Sequence, residues 1–428
     1  MILLGYRRCV EIRPQYGVAI VTVLVWGTFL WAGILQPIFA HADTNVIPAV
    51  RAGTRYDTNV YFAPPERLPP GTRLNDIVST VGAGAQVLHR SRDVEANIIG
   101  GADLNAFVHN NGLNYVNAML EGHAIFDGWV NQFVRGAKLR VDERFRYTPE
   151  TPGFVTGESA AAIEDPFVRG IQGFRANTFA NTVSTEGSYP VTSALSFEGR
   201  YAFSARRTGS IYSVTETGTT FFNTQIHAWS VGPRYSLTPA DSISLSYRQA
   251  LMNQERAEES TSPTIETNLQ ALTAEYNRVM PDWTIRIGGG VALIDPAGKA
   301  FPTAGIRFVT NPERATTVQL DLSRQAAPSF FVVSGALISN VGRAQIVHRL
   351  TERFKLQASA SYAFNQSIPE GLAEFNNLTL STGLSYNLTR EMALELLYMY
   401  NDYKTETTTI DYQLYRNMLG LTLTAQWQ

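Results

Sequence analysis

The sequence predicts an all-β fold, a transmembrane antiparallel up-and-down β-barrel of 16–18 strands with 18 the best count. Three observations carry the prediction. The N-terminus is built for export and no second membrane-length apolar run follows it. Segments of about ten residues alternate apolar and polar side chains. The connections between those segments alternate between short turns and longer polar stretches.

Export comes first along the chain. Arg7, Arg8 and Arg13 precede an apolar run from Gly17 to Leu35, then Gln36 and Pro37, then Ala40-His41-Ala42. A positive n-region, a hydrophobic stretch and an A-x-A site make residues 1–42 a signal peptide cleaved before Asp43. The run is also long enough to cross a bilayer, so a retained anchor is the alternative. Cys9, the single cysteine, lies inside this segment. A mature chain from residue 43 therefore holds no disulfide, thiolate metal ligand or cysteine nucleophile.

Charged residues make up 17% of the 428 residues, well below the roughly 25% of soluble domains. No Pro/Ser-rich linker divides the second half, so residues 43–428 read as one repetitive barrel rather than two or more soluble domains.

The strands follow from the period. Val94, Ala96, Ile98, Gly100, Ala102, Leu104, Ala106 and Val108 are apolar or small, while Glu95, Asn97, Asp103, Asn105 and His109 fill the other phase. From Phe133 to Phe145, Phe133, Ala137, Leu139, Val141 and Phe145 oppose Lys138, Arg140, Asp142 and Arg144, with Arg146 continuing the charged phase. Further strands are predicted at Leu195–Ala205, Ile243–Leu251, Trp283–Leu293, Phe354–Phe364, Leu378–Leu388 and Met392–Tyr400. The chain ends on NMLGLTLTAQWQ, where Leu419, Leu421, Leu423, Ala425 and Trp427 share one phase. A barrel loses its free edges only when the last strand pairs with the first. This stretch is therefore the predicted closing strand, and the surface that barrel-assembly machinery would recognise.

The turns are more specific still. YPVTSALSF at 189, YSLTPADSISLSY at 235, HRLTERFKL at 348 and YNLTREMALEL at 386 repeat a Leu-Thr or Val-Thr step. Between them lie polar segments, RTGSIYSVTETG at 207, MNQERAEESTSPT at 252, NQSIPEGLAEFN at 365 and NDYKTETTTID at 401. Short periplasmic turns and longer external loops are the asymmetry of outer-membrane barrels. The long interruption near 148–177 is predicted to be an external loop or an inward-folded plug.

RAGTRYDTNVYF at 51, FRYTPETPGF at 145, and FVRGIQGFRANTFANT at 167 with its RGIQ and RANT blocks resemble a family of outer-membrane β-barrel porins. That family is often associated with exosortase (PEP-CTERM) and exopolysaccharide loci. The resemblance implies location and fold, and a role in the export of envelope polysaccharide.

Side chains that could carry function fall on the polar phase. Lys138, Arg140, Asp142 and Arg144, with Arg234, Arg248, Arg286, Arg307 and Arg343, are predicted to line the pore. A basic side chain facing lipid at mid-bilayer would cost roughly 2–4 kcal/mol. One reading is a basic lane for anionic solutes or an acidic polysaccharide. The other is that these groups pair with Asp57, Glu95, Asp103, Asp142, Asp321 and Glu395 and fill a crowded lumen. Trp229, Tyr235, Tyr362, Tyr386, Tyr398 and Trp427 are predicted at the membrane interfaces, near strand ends. Histidines 89, 109, 123, 227 and 348 are scattered and read as polar lumen or interface residues. VGAGAQ at 81 and GGG at 288 lie inside strands, where glycine relieves crowding.

The expectation is a non-enzymatic outer-membrane channel or exporter, embedded in outer-membrane lipid, with no catalytic site, cofactor, metal or nucleic-acid partner. A barrel enzyme acting on lipid or peptide is the second class, and a structural or adhesive barrel the third.

Overall fold

The computed structural model describes residues 43–149, 176–211, 222–256, 264–295, 297–311, 313–328, 336–368, 373–407 and 411–427. The export segment 1–42 and nearly all of the predicted plug at 148–177 lie outside the described residues.

Eighteen strands form a single sheet: β1 (Asp43–Asp57), β2 (Asp76–Arg90), β3 (Glu95–Phe107), β4 (Tyr115–Ile125), β5 (Lys138–Thr148), β6 (Ala176–Pro190), β7 (Leu195–Ile211), β8 (Phe222–Ser236), β9 (Asp241–Arg256), β10 (Ile265–Val279), β11 (Trp283–Asp295), β12 (Lys299–Thr310), β13 (Thr316–Pro328), β14 (Ala336–Arg349), β15 (Phe354–Ile368), β16 (Ala373–Asn387), β17 (Met392–Thr407) and β18 (Asp411–Gln426). Each strand pairs with its neighbour in sequence, and β1 pairs with β18. Closure runs from Ala49 opposite Gln426 to Asp57 opposite Met418, so the predicted closing strand does close the wall.

The register carries one phase around the outside. Val50 faces Ala425 on one side and Ala83 on the other, and Ala52 faces Leu423 and Val81. Val46, Val81, Leu104, Leu272, Val291, Leu322, Leu419 and Leu421 are all exposed. Apolar side chains exposed on a whole outer face have lost nothing only if the surrounding medium is hydrocarbon. Every backbone group of a spanning strand must also find an internal partner there, which a closed barrel provides.

The Leu-Thr turns have a physical explanation. In each, the threonine Oγ1 accepts two backbone N–H groups, from Ala194 and Leu195 at Thr192, Ala240 and Asp241 at Thr238, Arg353 and Phe354 at Thr351, and Glu391 and Met392 at Thr389. The preceding Val191, Leu237, Leu350 and Leu388 each donate a backbone N–H across the hairpin. Their side chains are exposed at the rim.

Three expectations are corrected. The polar stretches at 365 and 401 are largely strand rather than loop, and the one at 252 starts as strand: β9 reaches Arg256, β15 reaches Ile368, β17 reaches Thr407 and β18 resumes at Asp411, while 257–263 lie outside the described residues. Above the bilayer the ladder still satisfies the backbone, while no lipid demands apolar side chains, so periodicity vanishes where the strand does not. Consequently the predicted ten-residue strands are too short. Third, the strand read from Phe133 begins at Lys138. A short helix, α1 (Asp127–Asn131), precedes it. The Asn131 carboxamide takes the Gly136 N–H, and Gly136 adopts φ +83, which L side chains rarely accept. Phe133, 72% exposed, sits in this turn.

Candidate functional site: the barrel interior

The inner phase is polar. Opposite the outward Val141 and Phe145, β5 directs Lys138, Arg140, Asp142, Arg144 and Arg146 inward, and the register continues that phase through Glu186 and Ser184 of β6. Lys138 is the first residue of the strand, opposite Ser188, and Arg248 stands opposite Ser230 and Ala271.

Most of the predicted basic residues find carboxylates. Arg140 Nε lies 2.9 Å from Asp142, whose other oxygen meets His123 Nδ1 at 2.8 Å. Glu121 accepts a hydrogen bond from Arg146 at 3.0 Å and lies 3.4 Å from the Arg144 Nε as an ion pair. Arg234 meets Glu198 at 3.0 Å, and Arg286 meets Glu275 at 3.2 Å. One rung crosses four strands as Arg286, Arg307, Asp321 and Arg343, with Arg307 Nε 3.5 Å from Asp321. Arg307 and Arg343 thus flank one nearly buried carboxylate, Asp321, while Arg286 pairs with Glu275. Among the acids named from sequence, Asp103 pairs with Arg51, Asp57 with Arg416 and Glu395 with Gln357. Glu95 instead meets Arg90 at 3.0 Å at the exposed periplasmic turn.

A cavity of about 320 Å³ is lined by Arg140 and Asp142 of β5, Glu186 of β6, Glu198 and Arg200 of β7, and Arg286 of β11. Ser230, Ser244 and Ser246 complete its polar wall. Its edge is formed at Gly232-Pro233, where a Cβ on residue 232 would lie 1.8 Å from the Leu245 carbonyl oxygen. Only glycine lets β8 approach β9 so closely. Arg144, Arg234, Arg248, Arg307 and Arg343 are not among the lining residues. Glu186, Glu198 and Arg200 were not singled out in the sequence, although each sits on the polar phase of its strand.

A second inward feature is the β1–β2 connection. Val60 is fully buried against Val78, Phe107, Leu113 and Tyr115, of which Val78, Phe107 and Tyr115 belong to the inner phase of their strands. Its anchor is Asn59, which donates to the Ala63 carbonyl and receives the Ala63 N–H. Nothing in the alternation of the flanking strands signalled that this connection folds inward.

The glycines behave as expected for crowding. A Cβ on Gly82 would lie 1.9 Å from Asp103 Oδ1, the oxygen that pairs with Arg51. The histidines also find ordinary polar partners: Thr44 for His89, Asp76 for His109, Tyr201 for His227 and Thr316 for His348.

The aromatics face outward at two levels. Tyr235, Tyr386 and Trp427 lie beside the periplasmic turns. Trp229, Tyr362 and Tyr398 fall mid-strand rather than near strand ends, because their strands run on past the bilayer. Trp229 is directly opposite Tyr201, and Tyr398 opposite Leu419, which in turn faces Tyr56. With about 3.3 Å per residue and a tilt near 45°, the six-residue step from Trp229 to Tyr235 spans roughly 14 Å along the membrane normal.

The chain is therefore an outer-membrane β-barrel. Residues 307–426 match the family described as "Putative beta-barrel porin 2". The match to this porin family begins at Arg307 in the charged rung and continues through the closing strand. Similar solved structures include OccK2 (OpdF) of Pseudomonas aeruginosa, at 10% identity over 90% of this chain and 98% of that one, with a TM-score of 0.42. The outer membrane protein opdK of Pseudomonas aeruginosa matches at 9% identity, 90% and 99% coverage and a TM-score of 0.41. The siderophore receptor PirA of the same organism matches at 8% identity, 90% and 80% coverage and a TM-score of 0.41. No curated protein matches the sequence.

Proposed function

We propose that this porin-like barrel is a non-enzymatic channel or exporter for anionic solutes, with acidic saccharides as the substrate class. The observation that carries this reading is the convergence of Arg140, Arg200 and Arg286 on one polar cavity. Guanidiniums already held by neighbouring carboxylates are fixed in place, and a passing carboxylate can exchange with them without a large desolvation step. Weak, shared ion pairs suit conduction, because a solute must be able to leave as well as enter. The resemblance to porins of exopolysaccharide loci points the same way.

Planar-bilayer recordings test it. The purified barrel is expected to conduct, with a reversal potential in a salt gradient that reports anion preference and a current that an oligo-uronate reduces. Replacing Arg140, Arg200 and Arg286 together by glutamine abolishes both the preference and the block. An absence of conductance under all conditions rules out the channel, and an unchanged anion preference in the triple variant rules out the cavity as its origin.

A further inference from the structure

The interior is unevenly filled along the barrel axis. Every residue lining the charged cavity lies close to the periplasmic turns: Arg140 is two positions above Lys138, the first residue of β5, Arg286 three above Trp283, and Ser230 six from Ser236, the last of β8. At the rise and tilt of barrel strands even Ser230 stands only roughly 14 Å above that end. Inward side chains meet solvent here, with Arg140 53% and Arg286 45% exposed. Lys138, nearer the periplasm on the phase of Arg140, is exposed as well.

Higher on the same strands the inner phase is closed. Arg206 and Thr224, on the phases of Arg200 and Ser230, are buried, as are Met252 on the phase of Ser246 and Ile294 on that of Arg286. Asn365 of β15 and Arg416 of β18 show the same further round the wall. All six are at most 2% exposed and stand ten to twelve positions from the periplasmic ends of their strands. That is about 23 Å or more up the axis. A wall of eighteen strands is too wide for its own side chains to fill. Inward side chains are therefore buried only where more of the protein packs inside the wall against them. One such piece is the β1–β2 connection, whose Val60, Phe62 and Ala63 are buried and whose Phe62 ring covers the Arg416 guanidinium.

We infer that the charged cavity is a periplasm-facing vestibule, loaded with acidic saccharide from the periplasmic side alone, which is the polarity of an exporter. The solute class rests on the function proposed above, whereas the sidedness rests only on where the inner wall is open. A solute arriving from the periplasm meets Lys138, Arg140 and Arg286 before any of the six buried side chains, so its carboxylate finds a basic partner at the entrance. From outside it would first have to cross the filled level.

Single-cysteine variants of the full chain, each with Cys9→Ser, read the sidedness. Ser246→Cys and Ser230→Cys lie in the cavity wall, and Gly112→Cys lies in the exposed β3–β4 connection, where a Cβ meets nothing within 4 Å. Outer-membrane vesicles from porin-deficient cells are treated with a membrane-impermeant sulfonated maleimide, either sealed or opened by freeze–thaw. The two cavity variants are expected to react many-fold faster in opened vesicles, while Gly112→Cys reacts equally in both. Heat-modifiable gel mobility confirms folding, and the second cavity position replaces the first should one variant not fold. Equal reaction of the folded cavity variants in sealed and opened vesicles overturns the inference, and so does no reaction in either. In opened vesicles an oligo-uronate is expected to slow the cavity variants several-fold, and adding Arg140→Gln, Arg200→Gln and Arg286→Gln should remove that protection. Sided labelling with no protection by the oligo-uronate keeps the vestibule and removes acidic saccharide as its solute.

Discussion

Arg416 and Asp57, 359 residues apart in sequence, form an ion pair across the closing seam with both side chains fully buried. The Arg416 Nε donates to Asp57 Oδ1 at 2.9 Å, and the Phe62 ring lies 4.0 Å from the guanidinium carbon. Asp57 also accepts the Asn59 N–H. The pair thus joins the first strand, the last strand and the inward β1–β2 connection at one point on the extracellular rim.

Removing one member of this pair leaves a buried charge uncompensated, which costs about 3–5 kcal/mol. Arg416→Met is therefore expected to lower the temperature at which the barrel converts to its unfolded gel mobility. Replacing both residues, Asp57→Leu with Arg416→Met, should recover much of that loss. A double variant no more stable than the single one would contradict the account.

Each Leu-Thr turn depends on a threonine oxygen that valine lacks. Thr192→Val, Thr238→Val, Thr351→Val and Thr389→Val should each destabilise by about 1 kcal/mol, the net worth of an ordinary hydrogen bond. Urea unfolding in detergent would read the effect, and serine at the same positions should restore most of it.

Gly82 leaves room for the Arg51–Asp103 pair. Gly82→Ala places a methyl where Asp103 Oδ1 now sits, so the carboxylate must move and Arg51 loses its partner. The expected outcome is a destabilised barrel and a more basic lumen, read as lower thermal stability together with a shifted reversal potential. Gly112→Ala, where a Cβ meets nothing within 4 Å, serves as the control.

Asp76, at the extracellular rim above the apolar band, is a buried acceptor for the N–H groups of Ile77, His109 and Asn110 and for the His109 ring. Burial raises its pKa, but these hydrogen bonds outweigh it and hold the carboxyl at about 2 against an ordinary 3.8. A lowered pKa stabilises the fold above the ordinary value and is lost as pH falls through the folded one. The rim at 107–115 should stay docked at neutral pH and loosen as pH drops from about 4 towards about 2. Hydrogen exchange at the His109 and Asn110 amides would follow it, and Asp76→Asn should flatten the dependence.

Much of the fold was legible because lipid imposes a local rule on every spanning strand. Leu419, Leu421 and Leu423 had to alternate with polar neighbours whatever the rest of the chain did. The turns were legible because Thr192, Thr238, Thr351 and Thr389 act on backbone groups two and three residues away. The extracellular extensions of β9, β15 and β17 were not, since above the bilayer the ladder constrains the backbone and leaves side chains free. Trp229 and Tyr362 looked like strand-end residues for the same reason.

The lumen divides differently. Phase alone put Arg140, Asp142, Arg286 and Arg307 inside, because period two has only two faces and one of them is closed to charge. Which of them meet depends on register across strands far apart in sequence, and a one-residue slip would change every partner. The approach of Arg286 to Arg140, the rung through Asp321 and the inward fold around Val60 all arise that way. The sequence by itself determined a closed wall of 16–18 strands with an apolar outside, because hydrocarbon selects side chains one strand at a time, and the structure fixed the count at eighteen. Tertiary structure decided the interior and which inner residues meet, because stagger and curvature act only once the sheet has closed.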